Sequence, residues 1–193
     1  MNILFINCCA RGKESRTLAL AKAFLDEYTK INDASVCELD LSKTALSPLD
    51  ADKLALRTEL SEKGDFSHDM FKSAHEFANA ERIVIAAPYW DLSFPAQLKT
   101  YIENICVTGI AFCYTETGAK GLCRADKLMY ITTCGAFLGE MNFGGDYIKG
   151  LCTLWGIPEF SQISAEGLDI DTFDANEIMA KATASAKSAA KEW

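Results

Sequence analysis

No run of apolar residues in this sequence approaches the roughly 20 needed to cross a bilayer, so no transmembrane helix is expected. Basic residues never form a block, and 27 acidic against 19 basic side chains leave a net charge of −8. That balance disfavours nucleic acid and anionic membrane as partners. The opening residues, MNILFINCC, lack a basic stretch and a small-residue cleavage site, so they do not read as a signal peptide. The phosphate-binding pattern GxxxxGK[ST] is absent, and so is GxGxxG, which removes the two commonest nucleotide loops. There are eight cysteines, but none are spaced CxxC, which suits neither zinc nor an iron–sulfur cluster, and no metal is expected. Without a secretory signal they read as reduced thiols of a cytoplasmic protein, most of them small buried apolar residues. No Ser/His/Asp set and no paired-carboxylate spacing stands out. His68 and His75 fall in one helical stretch, where solvation or local pairing suffices.

What the chain does have is alternation. Its 193 residues, 49% hydrophobic and 24% charged, suffice for one α/β domain with a real core. Strands are read at Asn2–Asn7, Ser35–Asp40, Ile83–Ile85, Lys127–Thr132 and Phe160–Ser164, where short apolar runs carry β-branched residues. Helices are read between them. Thr17 to Lys30 presents Leu18, Ala21, Phe24, Leu25 and Tyr28 on one face. Others are expected near Ala51–Ser61, over Ser67–Ala80, from Pro95 through Ile105, over Asp146–Trp155 and over Asp174–Glu192. The last opens on an Asp174…Glu177 capping arrangement. Phe112–Tyr114 reads as a short extended piece and Thr115–Gly121 as a loop. Five strands alternating with helices predict a doubly wound five-stranded parallel sheet covered on both faces, in one domain spanning residues 1–193.

Ligands on such sheets gather at the carboxyl ends of the strands. Three loops meet there. Cys8–Thr17 joins a strand to a helix start, whose free N–H groups and partial positive charge suit a phosphate. Ser15 can instead simply cap the helix while Arg11, Lys13 and Arg16 remain solvated. Pro88–Phe94 exposes Tyr89 and Trp90 just beyond a strand. Those rings can flank a planar ligand, pack on the next helix or meet another subunit. Thr133–Gly145 is rich in glycine, which permits close backbone approach to a ligand and equally makes plain turns. Cys134 becomes a reactive thiol only if that loop lowers its pKa. Asp169 and Asp171 fit a loop leading into the last helix better than a metal site.

The central stretch carries a resemblance. Ala87-Pro88-Tyr89-Trp90-Asp91-Leu92, Pro95-Ala96-Gln97-Leu98-Lys99, and Gly109-Ile110-Ala111-Phe112 with Tyr114 and Gly118–Leu122 are similar to motifs of the flavodoxin-like FMN-dependent NAD(P)H:quinone oxidoreductases and azoreductases. The resemblance implies a flavodoxin-like fold, bound FMN and a homodimer. It implies that Ser15, Arg16 and Thr17 hold the phosphate, with Cys9 where the family usually has serine. Pro88, Tyr89, Trp90, Asp91 and Leu92 would flank the ring, and Thr133, Cys134, Gly135 and Ala136 would line its other edge. Asp91 replaces the usual asparagine, and Thr-Cys-Gly-Ala replaces a Ser-Arg-Gly-Gly type loop. The implied cycle passes a hydride from NAD(P)H through FMN to a quinone, azo or nitro acceptor, with no side chain named as acid or base. A flavodoxin-type electron carrier and a flavin-free interaction domain are the rival functions for the same scaffold.

Overall fold

The computed structural model describes residues 1–193. Strand β1 (Asn2–Asn7) leads into α1 (Arg16–Ile31), then β2 (Ser35–Asp40), α2 (Ala51–Glu62), α3 (Lys72–Asn79) and β3 (Arg82–Ala86). Next come α4 (Ala96–Ile105), a pair of short strands β4 (Phe112–Thr115) and β5 (Gly118–Gly121), β6 (Lys127–Thr133), α5 (Phe143–Trp155), β7 (Glu159–Ala165) and α6 (Ala175–Glu192). Five strands form one parallel sheet in the order β2-β1-β3-β6-β7. Counted within the sheet alone this is 2-1-3-4-5, the flavodoxin-like winding, which reverses direction beside β1 and opens a crevice there.

Side chains along a strand alternate between faces, and here each face has its own core. Leu4 and Ile6 of β1, Ile83 and Ile85 of β3, and Leu128 and Tyr130 of β6 pack with Phe77, Leu98, Tyr101 and Trp155 from α3, α4 and α5. Ile3 and Phe5, Val84 and Ala86, and Met129 and Ile131 pack on the other face with Leu20, Phe24 and Tyr28 of α1 and Ala182 and Ala186 of α6. The inner strands are apolar on both faces for this reason. β2 differs: its first four residues are exposed, because an edge strand has one neighbour and α2 buries none of its residues.

Three elements depart from the expectations above. Thr115–Gly121 is not simply a loop. Gly118–Gly121 pairs antiparallel with Phe112–Thr115, in a strand of small and polar residues that shows no apolar alternation. α3 begins at Lys72 rather than Ser67, since His68 Nδ1 accepts the Met70 N–H at 3.2 Å and the chain takes a 3-10 turn first. α5 begins at Phe143 rather than Asp146. Gly144 and Gly145 therefore belong to its first turn, and a Cβ on Gly145 would collide with Gln162 Oε1 of the neighbouring β7. Close packing accounts for Gly145. At α6, Asp174 caps as expected through the Asn176 N–H at 2.8 Å, but Glu177 pairs with Lys181 at 2.7 Å instead of reaching back.

Candidate functional site

Three chain segments turn over the carboxyl edge of the sheet and enclose a cleft of about 430 Å³. Its floor follows from the winding: Cys8 N–H donates to Ala86 O at 2.8 Å, and Tyr89 N–H to Thr133 O at 3.0 Å, so β1, β3 and β6 end level with one another. Ser15, Arg16 and Thr17 form one wall, Pro88, Tyr89 and Trp90 a second, and Thr133, Cys134 and Gly135 a third. The structure thus brings together nine of the residues singled out in the sequence.

Each wall is fixed by its own bonds. Ser15 is the N-cap of α1, its Oγ accepting the Leu18 N–H at 3.2 Å. Thr17 Oγ1 and Thr133 Oγ1 lie 2.6 Å apart in a buried bond that fastens the start of α1 to the end of β6. The N–H groups of Arg16 and Thr17 precede the first intrahelical bond, take no acceptor from the chain and belong to cleft-lining residues at the positive end of the helix. Tyr89 donates its hydroxyl to Met141 O at 2.7 Å, tying the second loop to the segment before α5. Burial raises this phenol's pKa, so it remains a donor. Trp90 and Ser93 exchange N–H···O bonds at 3.1 and 2.8 Å, closing a two-residue turn over Asp91 and Leu92. Both turn residues have positive φ, 49° and 68°, a conformation that costs a non-glycine residue about 1–2 kcal/mol.

Four of the singled-out residues do not line the cleft. Cys9 is buried beneath the first loop, where its N–H donates to Asn7 Oδ1 at 3.0 Å and its thiol to Ala86 O at 3.6 Å. Asp91 and Leu92 sit at the tip of their turn, outside the wall that Tyr89 and Trp90 make. Ala136 lies just past the third wall, and its carbonyl accepts the Cys134 thiol at 2.9 Å. That thiol is buried, and desolvation pushes it up to about 11, helped by the charge of Glu166. The reactive form of Cys134 is therefore scarce at neutral pH.

Sequence reasoning missed a fourth contribution. Leu168 and Asp169, beyond β7, complete the rim, while Ala10, Glu14 and the already expected Arg11 extend the first wall. Asp169 reaches Arg16, with Oδ1 3.2 Å from Nη1. The signal was available, because Gly167-Leu168-Asp169 follows a fifth strand whose carboxyl end obeys the same rule as the other three. No group of three or more His, Cys, Asp or Glu side chains is arranged to hold a metal ion.

A parallel sheet wound 2-1-3-4-5 with an anion-ready helix start at its switch point agrees with the family comparison. A family model described as flavodoxin-like fold matches residues 1–190. The chain belongs to the flavodoxin-like fold family. Among its flavodoxin-like relatives, FMN-dependent NADH:quinone oxidoreductase 2 of Clostridium acetobutylicum is 39% identical over 199 residues, 99% of this chain and 98% of that protein. An azoreductase from Bacillus anthracis str. Sterne superposes with a TM-score of 0.89 at 24% identity, covering 100% of both chains. An FMN-dependent NADH-azoreductase from Bacillus anthracis str. Ames Ancestor, solved in complex with FMN, gives 0.86 at 22% identity over 99% of this chain and 98% of that one. At such identities these structures speak to the flavodoxin-like fold alone.

Proposed function

We propose that this protein is an FMN-dependent NADH:quinone oxidoreductase, also able to reduce azo and nitro compounds, with residues 1–193 working as one domain. The observation that carries the reading is the single cleft in which a helix start, an aromatic wall and a glycine-bearing wall converge. The name of the curated relative, which matches nearly the whole chain, favours the enzyme over a flavodoxin-type electron carrier.

The residues present fit FMN. A phosphate monoester needs N–H donors and positive charge, and Arg16, Thr17 and the start of α1 supply both. A flat ring needs a flat wall, which Tyr89 and Trp90 supply, and backbone donors at its polar edge. The N–H groups of Tyr89, Trp90 and Cys134 are used within the chain, on Thr133, Ser93 and Ala165. The N–H of Gly135 takes no acceptor from the chain and remains for a ligand in the cleft, and those of Asp91, Leu92 and Ala136, just outside its lining, are unused as well. When bound, FMN supplies the hydride chemistry, taking a hydride from NADH and delivering it to the acceptor. The protein's part is to hold the phosphate with Ser15–Thr17, orient the ring between the second and third walls, and present donors where negative charge grows. Cys134 keeps its proton and stays a neutral wall.

Partner and location complete the proposal. Trp90, Leu92, Phe143 and Tyr147 are exposed apolar side chains in the loops and helix beside the cleft, which supports a homodimer closing over it. Eight free cysteines suit the reducing cytoplasm, where NADH is generated. Light scattering of the purified protein tests the dimer.

The main test is spectroscopic. Purified protein should be yellow, or should quench added FMN with a saturable curve, and under argon NADH should bleach the oxidised flavin band rapidly. Rapid flavin binding without bleaching by NADH would instead identify an electron carrier. A colourless protein that neither quenches FMN nor melts higher in its presence would end the reading.

A further inference from the structure

Four charged side chains line the cleft: Arg11, Glu14, Arg16 and Asp169. Of these, only Arg16 and Asp169 are joined, Nη1 to Oδ1 at 3.2 Å. Asp169 is fixed by its backbone. Its N–H donates to Gly135 O at 3.0 Å, the Leu168 N–H to Cys134 O at 3.2 Å and the Gly167 N–H to Ala136 O at 2.9 Å. Three residues after β7 are thereby laced to three residues after β6. A Cβ on Gly135 would stand 2.5 Å from Asp169 Oδ2, so the carboxylate rests on the bare face of that glycine. The two side chains are nonetheless 49% and 75% exposed. An ion pair so exposed is weak and gives way to a stronger anion. A phosphate monoester is such an anion. It carries nearly two charges at neutral pH and presents several oxygens to a guanidinium fork.

We propose that Asp169 is a positioning residue that competes with the cofactor's phosphate for Arg16, setting the affinity for FMN below what Arg16 alone would give. The proposal rests on the FMN reading above. Asp169 acts on the phosphate end of the ligand and leaves the ring untouched. The competition makes phosphate binding an exchange: the guanidinium leaves a carboxylate as it takes up the phosphate, and returns to it on release. The carboxylate also keeps the charged groups of the cleft balanced, two against two, in a protein that is acidic overall.

Fluorescence titration with FMN and with riboflavin, which lacks the phosphate, tests this on the full chain. Asp169→Asn should tighten FMN about threefold to fivefold at low salt, the upper range for an exposed ion pair that no longer has to be broken before Arg16 meets the phosphate. Riboflavin affinity should change less than twofold. The gain should fade toward 0.5 M salt, roughly, where screening shortens to a few ångströms. In an Arg16→Gln background it should fall below twofold. Asp169→Ser should behave like Asp169→Asn, which separates the charge from the shape of the side chain. An unchanged or weakened FMN affinity in Asp169→Asn overturns the proposal. So do equal changes for both flavins, which would make Asp169 a partner of the shared part of the ligand, and a full gain that persists without Arg16. If the unmodified protein binds neither flavin, the functional reading itself has failed, and that shows before any variant is made.

Discussion

Raising the pH from 8 to 10 should destabilise this protein through its buried thiols. Cys8, Cys9, Cys134 and Cys152 are at most 4% exposed. Desolvation is the largest cause at all four, pushing Cys9 and Cys134 up to about 11 and Cys8 and Cys152 up to about 12, from 9.0. A raised folded value means that the native protein keeps its proton where the unfolded chain loses it. The stability these thiols contribute is whole below about pH 9 and drains away as the pH climbs toward 11 and 12. At pH 10 an unfolded thiol is mostly ionised while a buried one is not, which favours unfolding by slightly more than about 1 kcal/mol. Four of them amount to about 5 kcal/mol, as large as the whole stability of many domains. At about 2–4 °C per kcal/mol for a chain of this length, Tm should fall by about 10–20 °C between pH 8 and 10. Tyr101 and Tyr130, also raised by burial, act in the same direction. Calorimetric melts in reducing buffer at half-unit pH steps give the curve. Cys152→Ala costs stability at neutral pH but should remove part of the alkaline loss, less than about a quarter, since Cys123, Tyr101 and Tyr130 are raised by burial as well. A Tm that shifts by less than about 3 °C over this range, or a Cys152→Ala curve of unchanged slope, refutes the reasoning.

Other changes separate stability from binding. Trp193 packs edge-on to Phe24 and Tyr28, both at 5.2 Å, and lies 4.8 Å from the Arg82 guanidinium, at the sheet edge opposite the cleft. Its indole N–H is buried without a partner, so Trp193→Ala should cost about 3 kcal/mol, near the lower end for such truncations, and lower Tm by about 6–12 °C with FMN affinity unchanged. Thr17→Val strands the buried Thr133 hydroxyl and should cost about 1–2 kcal/mol in denaturant melts. Adding Thr133→Val should restore most of it, because an apolar pair replaces a bonded one. Asp174→Ala removes the cap of α6 and should cost about 1 kcal/mol, read as a Tm lower by about 2–4 °C.

The strands were the most legible part of this chain. Ile83-Val84-Ile85 followed by Ala-Ala-Pro can be little but a buried strand that stops, and the structure extends it by one residue at each end. β5 was illegible for the opposite reason: Gly-Ala-Lys-Gly is held by pairing with β4 rather than by any preference of its own. The start of α5 was hidden because two glycines read as a loop, when Gly144 lies against Tyr130, Ser93 and Phe94, and Gly145 against Gln162 and Asn142. In the candidate site, each loop was legible as a strand-to-helix junction, and proline and aromatic residues marked the second. Asp169 was legible as a residue just past the carboxyl end of the fifth strand, but its pairing with Arg16 was not, because its place depends on three backbone bonds between segments about thirty residues apart in the chain.

The second loop shows how this fold prepares a site. A turn closed by Trp90 and Ser93 with both central residues at positive φ ordinarily uses asparagine and glycine. Here it holds Asp91 and Leu92, and leucine has no side-chain means of easing that conformation. Strain of this kind persists only where the surroundings impose it, and it gathers at ligand-binding segments. The surroundings are visible: Tyr89 is bound by its N–H to Thr133 and by its hydroxyl to Met141, so the chain enters the turn already committed. Because Trp90 and Ser93 satisfy each other, the N–H groups of Asp91 and Leu92 are left over. Gly135 in the third wall and Ala136 just past it are left over likewise, while Cys134 spends its own N–H on Ala165. Donors that the fold does not use, held by residues that it fixes firmly, are what a ligand with a polar edge requires. They need no rearrangement when charge develops on that edge.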